Sequence, residues 1–225
     1  MVSNELSYIS ALIEASGEIS PELKLVVLLT SLSFIPILLI AVTSFTRIII
    51  VLSMLRHALG LQQTPPNIVL ITLALFLSIY TMRPVWQEIN TNAVAPYVNK
   101  TMTLDHAIEQ AIIPLKKFMV HQTRDEDFEA AFAMAKAEVP ANAEDVELSI
   151  LIPAFLMSEL TIAFKIAFVI FIPFLLIDLV VASVLMSLGM IMLPPISIAL
   201  PIKVMLFVLI DGWSLISQSL ISGFS

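Results

Sequence analysis

Charge is confined to a few places in this chain, and that confinement limits what it can fold into more than any other feature. Between Lys24 and Arg47 lie 22 residues with no Lys, Arg, Asp or Glu. As a helix they are long enough to cross a hydrocarbon core of about 30 Å. A second uncharged stretch, His57 to Met82, is broken early by Gly60, Gln62, Gln63, Thr64, Pro65 and Pro66, so only Ile68 to Met82 reads as continuous apolar helix. From Arg83 to Glu147, six basic and eleven acidic residues gather into a polar insert of net charge -5. Beyond it the chain is apolar again, interrupted by Glu159, Lys165, Asp178, Lys203 and Asp211. With 59% of 225 residues hydrophobic and 13% charged, polar side chains are too few to cover a soluble fold. The chain is expected in a membrane or inside an obligate assembly, as an all-α, membrane-associated protein. Its expected parts are an N-terminal polar segment (1-24), a first apolar helix and hairpin (25-82), the acidic insert (83-147) and a second apolar hairpin region (148-225).

The same counts exclude other classes. Without Cys there is no disulfide framework, thiolate metal site, iron-sulfur cluster or cysteine nucleophile. A net charge of -7 argues against a nucleic-acid partner, which calls for a basic stripe. His57, His106 and His121 are not spaced as metal ligands, the five Gly are scattered and form no phosphate-cradling loop, and no Ser, His and acid stand in triad order. No enzyme activity, metal or cofactor is expected. The first 22 residues carry Glu5, Glu14, Glu18 and Glu22 and no basic residue, so they lack the form of a signal peptide. Arg47 and Arg56 flank the short first connection, which places the acidic insert on the other side of the membrane, in the periplasm of a bacterium.

Within the insert, Leu104, Ala107, Ile108, Ala111, Ile112, Leu115, Phe118 and Met119 recur at helical steps behind Thr103, the expected N-cap. Pro114 should bend or interrupt that helix. A second helix is expected over Phe128, Ala131, Phe132 and Ala135, led by Asp125-Glu126-Asp127 and closed by Pro140.

Two stretches share a layout. Gly60 is followed five residues later by Pro65-Pro66, and Gly189 by Pro194-Pro195, each feature 129 residues from its counterpart. Gly can end a helix in a left-handed cap, Pro-Pro cannot continue it, and an apolar helix follows, so each stretch reads as a helical hairpin. The first turn carries Leu61-Gln62-Gln63-Thr64, the second Met190-Ile191-Met192-Leu193 behind Met186. Unbranched thioethers re-pack around irregular shapes. That turn reads either as ordinary apolar packing or as a deformable seal where several subunits point it at one axis.

Two runs carry a resemblance. Phe45 to Ser53 (FTRIIIVLS) with Leu59 to Asn67 (LGLQQTPPN), and Phe171 to Met190 (FIPFLLIDLVVASVLMSLGM) with Lys203 to Trp213 (KVMLFVLIDGW), closely resemble the two signatures of the FliP family of flagellar export-gate proteins. The resemblance covers the chain from about Leu25 onward. It implies a core subunit of the type III export apparatus of the flagellum, related to a subunit of injectisomes. The implied setting is a homopentamer in the bacterial inner membrane with FliR and FliQ, next to FlhB and FlhA. It would enclose a channel for unfolded rod and hook substrates and start the rod. It also implies hairpins held largely above the bilayer plane and a methionine-rich constriction, here Met186, Met190 and Met192, with β-branched Ile191 where family members carry Met.

A charge at a bilayer centre costs about 2.5 to 3.5 kcal/mol, so the ionisable residues of the apolar parts need partners or water. One reading is a proton relay in an independent secondary transporter with broken helices. The favoured reading has Arg47, Glu159, Asp178, Lys203 and Asp211 pairing between subunits to fix assembly.

Overall fold

A computed structural model describes residues 25, 26, 29, 30, 32, 33, 40-140, 145-190 and 192-224. The expected first span, between Lys24 and Arg47, lies largely outside them, as do Ile191 and the 1-24 segment. The described chain is helical without strands, and it divides into two compact units: Met1–Thr43 with Arg83–Ser158, and Ser44–Met82 with Glu159–Ser225.

The second of these units holds both hairpins. Helix α1 (Phe45–Ala58) buries Phe45, Ile48, Val51 and Leu52, one face of the helix, against Leu70, Ala74 and Leu77 of α2 (Asn67–Thr81), and its Leu55 packs instead with Phe174 and Phe207. At the end of α1, Gly60 has φ +82°, its N–H donates to His57 O at 2.9 Å and the Leu61 N–H to Arg56 O at 3.1 Å. That paired bonding is the Schellman cap, and its left-handed residue favours glycine. Pro66, in extended conformation, then launches α2.

The second hairpin repeats the device. Gly189 has φ +73°, its N–H donates to Met186 O at 3.1 Å and that of Met190 to Leu185 O at 3.0 Å. Pro195 precedes α8 (Ile196–Leu209), as Pro66 precedes α2. The 129-residue offset extends into the burial pattern: Leu70, Ala74 and Ser78 of α2 are buried, and so are their counterparts Ala199, Lys203 and Phe207 of α8. At Ile210 and Asp211 the chain bends by 64° into α9 (Gly212–Ser222).

The incoming arm of this hairpin belongs to α7, a helix of 40 residues (Leu148–Ser187) that contains Pro153 and Pro173 and has a window of mean hydropathy 2.8. At 1.5 Å per residue it is about 60 Å long, twice the thickness of a hydrocarbon core. Among the described residues it is the one helix long and apolar enough to cross a membrane, with up to three spans if each bent helix pair counts as one.

The other unit contains the polar insert. It runs through α3 (Arg83–Ile89), a π-helical stretch (Asn90–Val94), α4 (Ala95–Val98), α5 (Leu104–Gln122) and α6 (Asp125–Ala135). Widening of the helix just before Pro96 suits a residue with no N–H to offer the preceding turn. Helix α5 follows Thr103, which takes the N-cap position without a side-chain bond, and continues through Pro114 uninterrupted. Of the expected apolar stripe, Ala107 and Met119 are buried while Leu104 and Ile108 are exposed.

Helix α6 has the expected acidic start, but Pro140 does not close it. It ends five residues earlier at Ala135, where Lys136 turns left-handed at φ +52°, donating from its N–H to Ala133 O, and the Ala137 N–H reaches Phe132 O at 3.1 Å. The backbone caps itself before proline is reached, at a residue type from which left-handed geometry is not read. Met119, Phe132, Val146, Leu151 and Phe155 form the core of the unit, with Phe118 edge-on to Phe155 at 5.9 Å between ring centroids. Ser158 Oγ donates to Asp127 Oδ2 at 2.7 Å and accepts the Arg124 N–H at 2.9 Å, so the start of α6 is tied to α7.

Candidate functional site

The unit of the two hairpins carries seven ionisable Lys, Arg, Asp or Glu: Arg47, Arg56, Glu159, Lys165, Asp178, Lys203 and Asp211. Arg47 lies on the buried face of α1. Its guanidinium forms a fork on the Glu159 carboxylate, with Nε to Oε2 at 3.1 Å and Nη2 on Oε1, both side chains almost fully buried. The same guanidinium sits over the Phe224 ring at 3.8 Å from its centroid and donates to Gly223 O at 3.4 Å. One planar cation thereby joins α1, α7 and the residues beyond α9. Arg suits this because its fork matches a carboxylate while its face stacks on a ring.

A second clasp joins α7 to α8. Lys203 Nζ donates to Asp178 Oδ2 at 2.6 Å and to Ala58 O at 3.2 Å, a carbonyl in the last turn of α1 where the helix dipole favours a cation. Arg47, Glu159, Asp178 and Lys203, the residues expected to pair between subunits, each meet an opposite charge within the chain. The physical reason is that packing of α1 and α8 against α7 brings each buried cation opposite a carboxylate, which removes the cost of leaving either alone.

Arg56 serves the first turn. Its Nη1 donates to Pro65 O at 3.2 Å and to Asn67 Oδ1 at 2.7 Å, strapping the loop to the start of α2. The corresponding position in the second hairpin is Leu185, which offers no such donor. The Met-bearing turn is open: Met186 is 66% exposed, Met190 41% and Met192 96%. Gly60, Pro65 and Pro66 thus lie in a polar, braced turn, and Gly189, Pro194 and Pro195 in an apolar one.

The remaining two charges have no side-chain partner among the described residues. Lys165 lies exposed on α7 beside Phe164, Phe168 and Val169. Asp211 is exposed at the α8–α9 bend with φ +50°. Phe224 and Arg56 are the functional-site residues that sequence reading passed over. Arg56 stands in the last turn of a helix before a Pro-Pro turn, which is a usable signal, whereas Phe224 meets a residue far back in the chain and no spacing announces that.

A family model described as the FliP family matches residues 28-220, which takes in both hairpins, the insert and nearly all of α9. The chain belongs to the FliP family. Its FliP relatives include the flagellar biosynthetic protein FliP of Bacillus subtilis (strain 168), 50% identical over 206 residues that make up 92% of this chain and 93% of that protein. The protein of the same description from Caulobacter vibrioides (strain ATCC 19089 / CIP 103742 / CB 15) is 48% identical over 89% of this chain and 76% of its own length. That of Buchnera aphidicola subsp. Acyrthosiphon pisum (strain APS) is 50% identical over 88% of this chain and 52% of its own length. Every clasp residue but Phe224 and Gly223 falls inside the FliP match, and so does the whole Met-bearing turn.

Proposed function

We propose that this chain is a core subunit of the flagellar type III protein export gate. It sits in the bacterial inner membrane as part of the flagellar basal body, with the 83-147 insert on the periplasmic side. Copies of it, five in the reading favoured by the family resemblance, assemble with FliR and FliQ and adjoin FlhB and FlhA. Together they wall the channel taken by unfolded rod and hook substrates and form the base on which the rod grows. The descriptions of the relatives as flagellar biosynthetic proteins support a flagellar copy over an injectisome one.

The observation that carries the channel reading is the contrast between the two turns. Both have the same Gly and Pro-Pro frame, but the first is strapped by Arg56 while the second holds Met186, Met190 and Met192 out into the open, with no side-chain brace among the described residues. Exposed thioethers on a self-capped turn can close on one another across a shared axis and yield to a passing polypeptide. Ile191 would add a stiffer, β-branched contact to that gasket.

The test replaces Met186, Met190 and Met192 together with Ala. Cells carrying the triple variant should leak ions or small solutes while the assembled complex is recovered at the normal level. Wild-type tightness in an assembled complex rules the gasket out.

A further inference from the structure

Among the charged residues of the hairpin unit, one cation and one anion are left without a side-chain partner among the described residues. Arg47 is matched by Glu159, Lys203 by Asp178, and Arg56 by the polar groups of its own turn. Lys165 and Asp211 are exposed, and no side-chain partner meets either among the described residues. Neither stands in polar surroundings. Lys165 interrupts an apolar stripe of α7 in which Phe164, Phe168 and Ile172 are exposed, and Asp211 follows exposed Val208, Leu209 and Ile210. Water does not cover such faces in a membrane or an apolar assembly, so each charge needs a counter-charge brought by whatever covers the face.

We infer that Lys165 of one copy pairs with Asp211 of a second copy of this chain. The occupant is argued from complementarity: one exposed, unpartnered charge of each sign, on two different apolar patches of the same molecule, is satisfied by another copy. A contact between unlike patches is the head-to-tail arrangement that builds rings or helical arrays. This inference rests on the homo-oligomeric reading above and names the contact that holds it in register.

The chain has no Cys, which allows the contact to be trapped in membranes with the charge pair intact. Phe168→Cys in one tagged copy and Ile210→Cys in a differently tagged copy place thiols beside Lys165 and Asp211. Both chains are produced together with the membrane proteins that accompany the native one, and a short bis-maleimide is added. The expected result is a cross-linked dimer carrying both tags, reduced about tenfold by Lys165→Asp and restored when Asp211→Lys is added in the same chains. Restoration by the swapped pair separates lost pairing from lost folding.

A doubly tagged product that is absent, or that is indifferent to Lys165→Asp, overturns the pairing. So does cross-linking of the two introduced thiols only to some other polypeptide. If the wild-type chain still forms its oligomer on native gels in that case, the export-gate reading stands and only this contact is wrong. If the wild-type chain forms no oligomer in that setting, both fall together.

Discussion

At the scale of single residues, two positions have consequences out of proportion to their size. Arg47 holds Glu159, Phe224 and the Gly223 carbonyl at once. Arg47→Ala leaves a buried carboxylate without its cation, and the expected cost is about 3 to 5 kcal/mol. Arg47→Lys should recover only part of it, because an ammonium can neither fork onto the carboxylate nor stack on the ring. Thermal unfolding in mild detergent checks both, and an Arg47→Ala protein melting with the wild type would contradict the clasp. Gly212 is the other. A Cβ at that position would overlap the edge of the Phe207 ring, which is buried and edge-on to Trp213 at 5.2 Å between centroids. Gly212→Ala should cost about 1 to 3 kcal/mol by overpacking. Adding Phe207→Leu should return part of it, which the same melting experiment reads. The Asp-Gly-Trp run was visible in the sequence, but its spatial reason was not, since the ring that fills the glycine's space is set by the 64° bend between α8 and α9.

At the scale of elements, the hairpins show where reading a sequence works well. Gly with Pro-Pro five positions on is local chemistry: a left-handed cap and a stretch that cannot stay helical depend on the residues themselves. Both caps form as that chemistry demands. The end of α6 shows the opposite case, because Lys136 takes the left-handed position that sequence would assign to glycine, and Pro140 comes too late to matter. Helix α5 likewise keeps going through Pro114, a residue buried in its own unit, so packing outweighs the lost backbone bond. The difference between the two turns is testable here. Arg56→Ala removes both bonds that strap the turn, to Pro65 O and Asn67 Oδ1, so the amides of residues 61-64 should exchange faster with solvent by on the order of a hundredfold, if each bond contributes about 1.5 kcal/mol. Hydrogen exchange of the turn around Gly189 should not change. Unaltered protection of both turns would show that Arg56 is not the brace.

At the scale of the whole molecule, α7 sets the expectation. A 40-residue helix of such hydropathy, with an exposed apolar stripe along it, is stable only against lipid or other apolar protein. The chain should therefore stay in the membrane fraction after alkaline carbonate extraction, and its release into the supernatant would exclude integral association. Much of what neighbours along the chain govern was legible before folding: the charge-free stretches, the acidic insert, both hairpin turns, the all-helical class and the family signatures. Pairing was not, and it took three dimensions to settle. Arg47 meets Glu159 across 112 positions and Lys203 meets Asp178 across 25, distances at which sequence spacing names no partner. Spacing tells which side chains share a face of one helix, but not which helix will lie opposite, and a buried charge takes the nearest counter-charge that packing brings to it.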